Sequence, residues 1–70
     1  MPDKIHLDSS HLKHFTYDPE SSTLEITFKN RRTYRYTQVP KDIAAQLQGA
    51  ESAGQFFHDS IRTQFPFEEL

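Results

Sequence analysis

The sequence predicts an α+β domain in which a three-stranded antiparallel β-meander is followed by two short α-helices packed on one of its faces. Two observations predict this class. Apolar and polar residues alternate in short runs through the first half of the chain, and apolar residues recur at helical spacing in the second half. The 70 residues fit one domain, because a chain of this length buries only about 60% of its unfolded surface. With six Phe and three Tyr, the core must depend on a few large rings.

The clearest strand lies at residues 24–28. Leu24, Ile26 and Phe28 alternate with polar residues, so we expect one face of this strand to be buried and the other to be wet. Aromatic and β-branched residues indicate the neighbouring strands, and Asp, Pro, Ser and charged residues indicate the connections. These segments are strands at 12–17 and 33–37, a turn at 18–22 and a hairpin tip at 29–32.

The first helix is predicted to begin near Pro40, because a proline in the first helical turn loses no hydrogen bond. Asp42 favours the positive end of the helix dipole. Ile43 and Leu47 lie four residues apart and form a narrow apolar stripe, which Gly49 ends.

The second helix has a clear start. Ser52 is a suitable N-cap residue, and Gln55 three residues later completes a capping-box pattern. Phe57 and Ile61 lie four residues apart on the predicted inner face. The segment 65–67 contains Pro66 and cannot continue the helix, so we expect it to fold back as an extended segment whose rings close the core.

These elements divide the chain into a flexible N-terminal arm at 1–8, a folded domain at 9–67 and a short acidic tail at 68–70. The chain has no cysteine, and it shows neither a leader-like apolar segment nor the roughly 20 apolar residues of a membrane span. We therefore expect a cytoplasmic protein without membrane contact. The net charge of −2 argues against binding of nucleic acid by the whole surface.

Several short motifs follow one another along the chain: Ser9-Ser10, Tyr17-Asp18-Pro19, Leu24-x-Ile26-x-Phe28, Tyr34-Arg35-Tyr36, Val39-Pro40 and Ala50-x-Ser52-x-Gly54-x-x-Phe57-x-x-x-Ile61. In this order they resemble the KTSC domain. That short module is named for its occurrence at the C-terminus of some lysyl-tRNA synthetases, and it also occurs as a free-standing bacterial or phage protein. The ordered set carries the resemblance, which covers roughly residues 9–67.

The resemblance implies no catalytic residue and no cofactor, and the synthetase context suggests RNA binding. The sequence departs from the family pattern at two positions. Members often have glycine in the hairpin tip near Arg31, and they often have a basic residue where Ala53 precedes the glycine of the second helix. Both departures change the surface, and neither threatens the fold.

The hairpin tip and the strand after it carry four cations and two aromatic residues within positions 29–36. Cations neutralise phosphates and tyrosine rings can stack on unpaired bases, so this segment predicts a site for single-stranded nucleic acid. The alternative is purely structural, since hairpin tips are charged because they are solvated and tyrosine is common in strands. The candidate binding residues are Lys29, Arg31, Arg32, Arg35, Tyr34 and Tyr36.

The register of the hairpin decides between these two interpretations. A loop with an odd number of residues, such as 30–32, pairs Phe28 with Tyr34 and puts both tyrosines on the core face. A two-residue loop puts them on the polar face and points Arg35 inward, which is costly without a partner. The cost of burying Arg35 favours the odd loop, with at least one tyrosine mainly in the core.

Two weaker signals in the sequence concern ligands. Ser52 and Gly54 open the second helix and could hold an anion, although simple capping and close helix packing explain both residues at least as well. The histidines His6, His11, His14 and His58 could suggest a metal, but the spacing of the first three fits neither a zinc finger nor a helical histidine pair, and cysteine is absent, so we expect no metal site.

No catalytic motif surrounds the serines and acidic residues, so we expect no enzyme activity. Ser9 and Ser10 are expected to bond local backbone at the entry to the first strand.

Two functions remain open from the sequence. The first is a non-catalytic module that binds RNA or single-stranded nucleic acid through the hairpin. The second is a protein-interaction or homodimerising module of a larger bacterial or phage assembly. Marginal core size and the additional rings Phe56, Phe65 and Phe67 favour the second, provided that those rings form an exposed patch.

Overall fold

The computed structural model describes residues 4–7 and 9–70, which form one antiparallel sheet with two helices on one face. The strands follow chain order across the sheet, so each strand pairs with the next. Both helices lie between β4 and β5 in the sequence. The elements are β1 (Ile5–His6), β2 (Leu12–Asp18), β3 (Thr23–Phe28), β4 (Thr33–Tyr36), α1 (Lys41–Gly49), α2 (Ala53–Ser60) and β5 (Phe67–Glu69).

The α+β class and the order of the central elements are confirmed, but the sheet has five strands and not three. Ile5 pairs with Phe15, and Phe67 pairs with Tyr36. Parts of the expected arm at 1–8 and tail at 68–70 therefore contribute edge strands, while positions 1–3 and 8 lie outside the described residues. The two residues of β1 are too few to show a period of two, so this strand could not be predicted, whereas the extended segment predicted at 65–67 overlaps β5 at Phe67.

The β3–β4 hairpin has the odd loop that the sequence favoured. Three residues lie between Phe28 and Arg32, and the Phe28 amide donates to the Arg32 carbonyl at 2.8 Å. Tyr34 pairs with Ile26 and not with Phe28, so the register differs from the expected one by two residues. A shift of two residues preserves the face of every side chain. Tyr34 and Tyr36 therefore lie on the core face, as the odd loop predicted.

The core lies between the inner face of the sheet and the helices. Leu24 and Ile26 are completely buried, and Phe28 is partly buried against the same cluster. Each helix contributes a narrow apolar side to this core, consistent with the predicted stripes. The buried residues of the helices are Ala44 and Leu47 in α1 and Ala53 and Phe57 in α2, with Ile61 at the end of α2.

The start of α1 departs slightly from expectation, whereas its end does not. Pro40 is the N-cap residue, with φ of −64° and an extended ψ, and it therefore precedes the first turn. Its carbonyl accepts a hydrogen bond from the Ile43 amide at 3.0 Å. The helix ends at Gly49, as predicted, and Ala50 continues in extended conformation.

Candidate functional site

The tip of the hairpin presents its cations to solvent. Lys29, Arg31 and Arg32 are all exposed. The turn is fixed by the Asn30 Oδ1, which accepts a hydrogen bond from the Arg32 amide at 3.0 Å, and by the Arg31 amide, which donates to the Phe28 carbonyl at 3.0 Å. Arg31 has a φ of 73°, in the left-handed region that favours glycine. The predicted cationic tip is therefore well ordered by its backbone and open on its surface.

The two tyrosines of β4 differ in their exposure. Tyr36 is 2% exposed, so it lacks the exposure on which its predicted stacking on a base depended. The reason is the odd loop, which turns this ring into the core beneath Phe57, at 5.6 Å between ring centroids. Tyr34 lies nearer the tip and is only partly buried. Tyr34 is thus the tyrosine of this pair that remains open to a ligand.

Arg35 lies on the opposite face of the sheet from the tyrosines. Its guanidinium donates to Glu68 Oε1 at 3.0 Å and contacts Glu25 Oε2 at 3.4 Å. These carboxylates belong to the strands on either side of β4. The structure therefore separates Arg35 from the other predicted binding residues and engages it in pairing across the sheet.

A cleft opens between the hairpin and the end of α2, and we call it the hairpin cleft. Its volume is about 460 Å³, which lies within the usual range for small-molecule sites, about 300–1,000 Å³. Phe28, Tyr34 and Phe67 from the sheet and Phe57 from α2 supply aromatic surface. Ring centroids lie 5.5 Å apart for Phe28 and Tyr34 and 5.9 Å apart for Tyr34 and Phe67, both edge to face. The rings therefore form one connected aromatic lining.

The polar side chains of the hairpin cleft are cationic or neutral. Arg32 and Arg62 line it together with His11 and His58, and none of its described lining residues is Asp or Glu. The Arg62 Nη1 lies 3.2 Å from the His58 Nδ1, and because arginine can only donate, this nitrogen of His58 is the acceptor. An anion entering the hairpin cleft therefore meets two guanidinium groups and no opposing carboxylate.

Tyr36 is also among the residues that line the hairpin cleft. Burial raises the pKa of Tyr36, with a further increase from the neighbouring Tyr34, while the positive charge of Arg62 partly opposes both effects. The phenol is thus neutral at physiological pH and can donate or accept a hydrogen bond.

The start of α2 is built as a cap. The Ser52 Oγ accepts a hydrogen bond from the Gln55 amide at 3.2 Å. The Gln55 side chain donates to Asp59 Oδ2 at 2.9 Å, so the reciprocal half of the predicted capping box is not formed. A Cβ at Gly54 would lie 3.2 Å from the Ser9 Oγ, which supports the interpretation of this glycine as a close-packing residue. Anion binding at Ser52 and Gly54 stays a prediction.

The serine before β2 has the local role that the sequence predicted. The Ser9 Oγ accepts hydrogen bonds from the amides of His11 and Leu12 at 3.2 and 3.3 Å. His14 lies next to His6, with ring centroids 5.8 Å apart. Within residues 4–7 and 9–70, no three His, Cys, Asp or Glu side chains lie close enough together to hold a metal ion.

The sequence interpretation did not find the full composition of the hairpin cleft. Arg62, His11, His58 and Phe67 join it from three segments outside the hairpin. Only the chemical type of these four side chains was evident in the sequence. The contacts that bring them together depend on the packing of α2 and on the pairing of β5 with β4.

The profile of the KTSC domain family matches residues 8–65 of the chain. The chain belongs to the KTSC domain family. This confirms the resemblance found in the ordered motifs. In structure, the domain is similar to a KTSC domain protein of Yersinia pestis, with a TM-score of 0.94, 30% sequence identity and coverage of 100% of this chain and 99% of the other.

Relatives of this KTSC chain occur in two contexts. It is 36% identical over 90% of its length to a lysine–tRNA ligase of Nostoc sp., and it spans 11% of that protein. It is also 36% identical to an uncharacterized protein of Stutzerimonas stutzeri, with coverage of 87% of this chain and 86% of the other. The family description and the name of the Yersinia protein state no catalytic activity.

Two further features bear on partners. Phe56 and Phe65 are partly buried against the core, and of the three rings considered for an exposed patch only Phe67 is exposed, at 59%. In the described ranges of this KTSC chain, neither helix has the length and apolar content needed to cross a membrane.

Proposed function

We propose that this KTSC domain is a non-catalytic module of the cytoplasm that binds RNA or single-stranded nucleic acid in the hairpin cleft. The observation that carries the proposal is the pairing of an aromatic lining with guanidinium groups and without a lining carboxylate. Nucleic acid fits this pairing, because each of its nucleotides carries both a flat apolar base and an anionic phosphate.

Tyr34 supplies the surface for base stacking. Its ring is partly exposed and is held in place by edge-to-face contacts with Phe28 and Phe67. A ring that is already fixed loses little conformational entropy when a base stacks on it, and such stacking contributes about 1–3 kcal/mol per base.

Arg32 and Arg62 at the hairpin cleft, and Lys29 and Arg31 at the tip, supply the electrostatic attraction. For single strands the affinity falls with salt by a slope of about 0.7 per neutralised phosphate, so four such contacts give a slope of about −2.8 at most. The net charge of the chain is −2, and binding is therefore confined to this end of the molecule.

The lysine–tRNA ligases that contain a similar segment act on tRNA, as their name states. A segment that occurs both within such ligases and in a small protein of similar length fits a module that brings nucleic acid to a neighbouring activity or binds it alone. This context agrees with the chemistry of the hairpin cleft.

The proposal is tested by titrating fluorescent RNA and DNA oligomers with the protein at low salt. We expect saturable binding that weakens as salt increases. The double variant Arg31→Glu/Arg32→Glu should lose binding while it retains the wild-type thermal transition. Absence of saturable binding by the wild-type protein to every oligomer would exclude the proposal.

A matched control has the same change in charge elsewhere. Lys13 and Lys41 are exposed, and neither lines the hairpin cleft. Lys13→Glu/Lys41→Glu should therefore bind oligomers almost as well as the wild type. Equal loss in both double variants would show that net charge, and not the cleft, controls the binding.

A second candidate function is supported by the exposed edge at β5. Phe67 is 59% exposed and Leu70 is 54% exposed, and β5 has β4 as its only neighbour among the described strands. An open strand edge with apolar side chains can pair with another protein or a second copy. Sedimentation equilibrium tests self-association, which Leu70→Asp should then weaken; a monomer over the full concentration range would count against a homodimer.

A further inference from the structure

A second hollow adjoins the hairpin cleft on the side of the α2 start, and we call it the polar hollow. Its volume is about 480 Å³. His11, Gly54 and His58 line both the hairpin cleft and the polar hollow. A ligand in the cleft can therefore extend across these three residues into the hollow without leaving the protein surface.

The two hollows differ in chemistry. The polar hollow is lined by the hydrogen-bonding residues Ser9, Ser52 and Gln55 and by the acidic residue Glu51. Apart from the imidazoles of the shared histidines, no aromatic ring is among its described lining residues. It therefore offers hydrogen bonds but no flat apolar surface on which a base could stack.

Glu51 restricts what can occupy the polar hollow. A carboxylate repels a phosphate, so the phosphates of a bound strand are held on the arginine side, by Arg32 and Arg62. A carboxylate is also an acceptor only, and it therefore favours a group that donates a hydrogen bond. The 2′-hydroxyl of a ribose is such a donor, and DNA lacks it.

We propose that the hairpin cleft and the polar hollow together bind two consecutive ribonucleotides, of which only one has its base stacked. The base of the first nucleotide stacks on Tyr34 in the cleft. The ribose of its neighbour lies in the polar hollow and donates its 2′-hydroxyl to Glu51. This inference rests on the proposed nucleic-acid function, and it adds the size of the site and a preference for RNA over DNA.

The first test uses dinucleotides in which one unit or the other lacks its base, with binding followed by chemical-shift titration of labelled protein. We expect one abasic dinucleotide to bind within about twofold of the intact one and the other to bind roughly fivefold or more weakly, as expected for the loss of one stacked base. Equal losses for both, or no loss for either, would overturn the inference.

The second test removes the 2′-hydroxyl from one unit at a time. The deoxy substitution should weaken binding at the unit that tolerates loss of its base, and Glu51→Ala should abolish this difference between ribose and deoxyribose. Glu20→Ala, which removes an exposed carboxylate outside both hollows, should preserve it. A ribose preference that survives in Glu51→Ala would overturn the assignment of Glu51.

A third test uses the passage between the hollows. An alanine at position 54 places its Cβ 3.2 Å from the Ser9 Oγ and narrows the passage. Gly54→Ala should weaken dinucleotide binding more than binding of a nucleoside monophosphate, and equal effects on both would contradict a two-unit site. If a long RNA oligomer gives no saturable binding, the proposed function itself fails; if it binds and the dinucleotides show no asymmetry, only this inference fails.

Discussion

Neighbouring residues of β4 lie on opposite faces of the sheet and have different roles. Tyr36 points toward the helices and is 2% exposed, whereas Arg35 points outward and bridges Glu25 and Glu68. Arg32, at the end of the same strand pair, lines a cleft whose described lining contains no carboxylate. The two arginines of this basic segment therefore differ in availability to a ligand, because acidic residues face Arg35 across the sheet and none lines the cleft beside Arg32.

Substitutions on the two faces should differ most in their effect on the free energy of unfolding. Tyr36→Ala should lower the free energy of unfolding by about 3–5 kcal/mol, because it leaves a cavity beneath Phe57. Arg35→Ala should cost at most about 1 kcal/mol, because it removes two exposed ion pairs. Urea denaturation of both variants measures the difference, and equal losses would contradict the assignment of the two faces.

The next largest difference is between substitutions of Arg32 and Arg35 in their effect on RNA binding. Arg32→Gln should weaken binding of an RNA oligomer about fivefold at low salt and reduce the salt slope by about 0.7, the value for one phosphate contact. Arg35→Gln should leave affinity and slope nearly unchanged, because its guanidinium is held by Glu25 and Glu68. Fluorescence anisotropy at several salt concentrations gives both quantities; a reversed order of the two variants would place the ligand on the outer face.

A smaller effect concerns the backbone of the hairpin tip. Arg31 has a φ of 73°, which costs an ordinary residue about 1 kcal/mol relative to glycine. Arg31→Gly should therefore raise the free energy of unfolding by about 0.5–1 kcal/mol, while it removes one cation from the tip. Thermal unfolding measures the first change and RNA titration the second; a less stable variant would show that the Arg31 side chain stabilises the fold by a contact of its own.

The β3–β4 hairpin also shows how much of the structure could be predicted from the sequence. The alternation in β3 and the helical spacing in the second half of the chain were local signals sufficient for the fold class. The cost of burying Arg35 was sufficient for the odd loop and the face of both tyrosines. The partners of Arg35 were only partly predictable, since Glu68 faces it through β5, a strand too short to show a pattern.

The hairpin cleft was predictable only in its hairpin part. Lys29, Arg31 and Arg32 are contiguous, and their charge is evident in the sequence. Arg62 and Phe67 reach the same place because α2 packs on the core and the chain then returns beside β4 as β5. Neither arrangement produces a regular pattern in the sequence. Composition alone therefore could not show that aromatic and cationic groups meet in the hairpin cleft.

The smallest predicted effect lies on the outer face, at His14. Its buried Nδ1 has no hydrogen-bond partner among the described residues, and its pKa is lowered by burial first and then by the charges of Lys4, His6 and Lys13. At pH values below about 6.5, the ordinary pKa of histidine, His14 binds a proton more readily in the unfolded chain than in the folded protein. The free energy of unfolding should therefore fall as the pH decreases from 7.5 to 5.5.

His14→Gln tests the origin of this pH dependence, because glutamine keeps a polar side chain that does not titrate. Urea denaturation at both pH values should show a smaller decrease for this variant than for the wild type. An equal decrease would assign the proton uptake to other groups. A decrease confined to the wild type would show that the outer face, despite its ion pairs and exposure, contains one site where an added positive charge opposes folding.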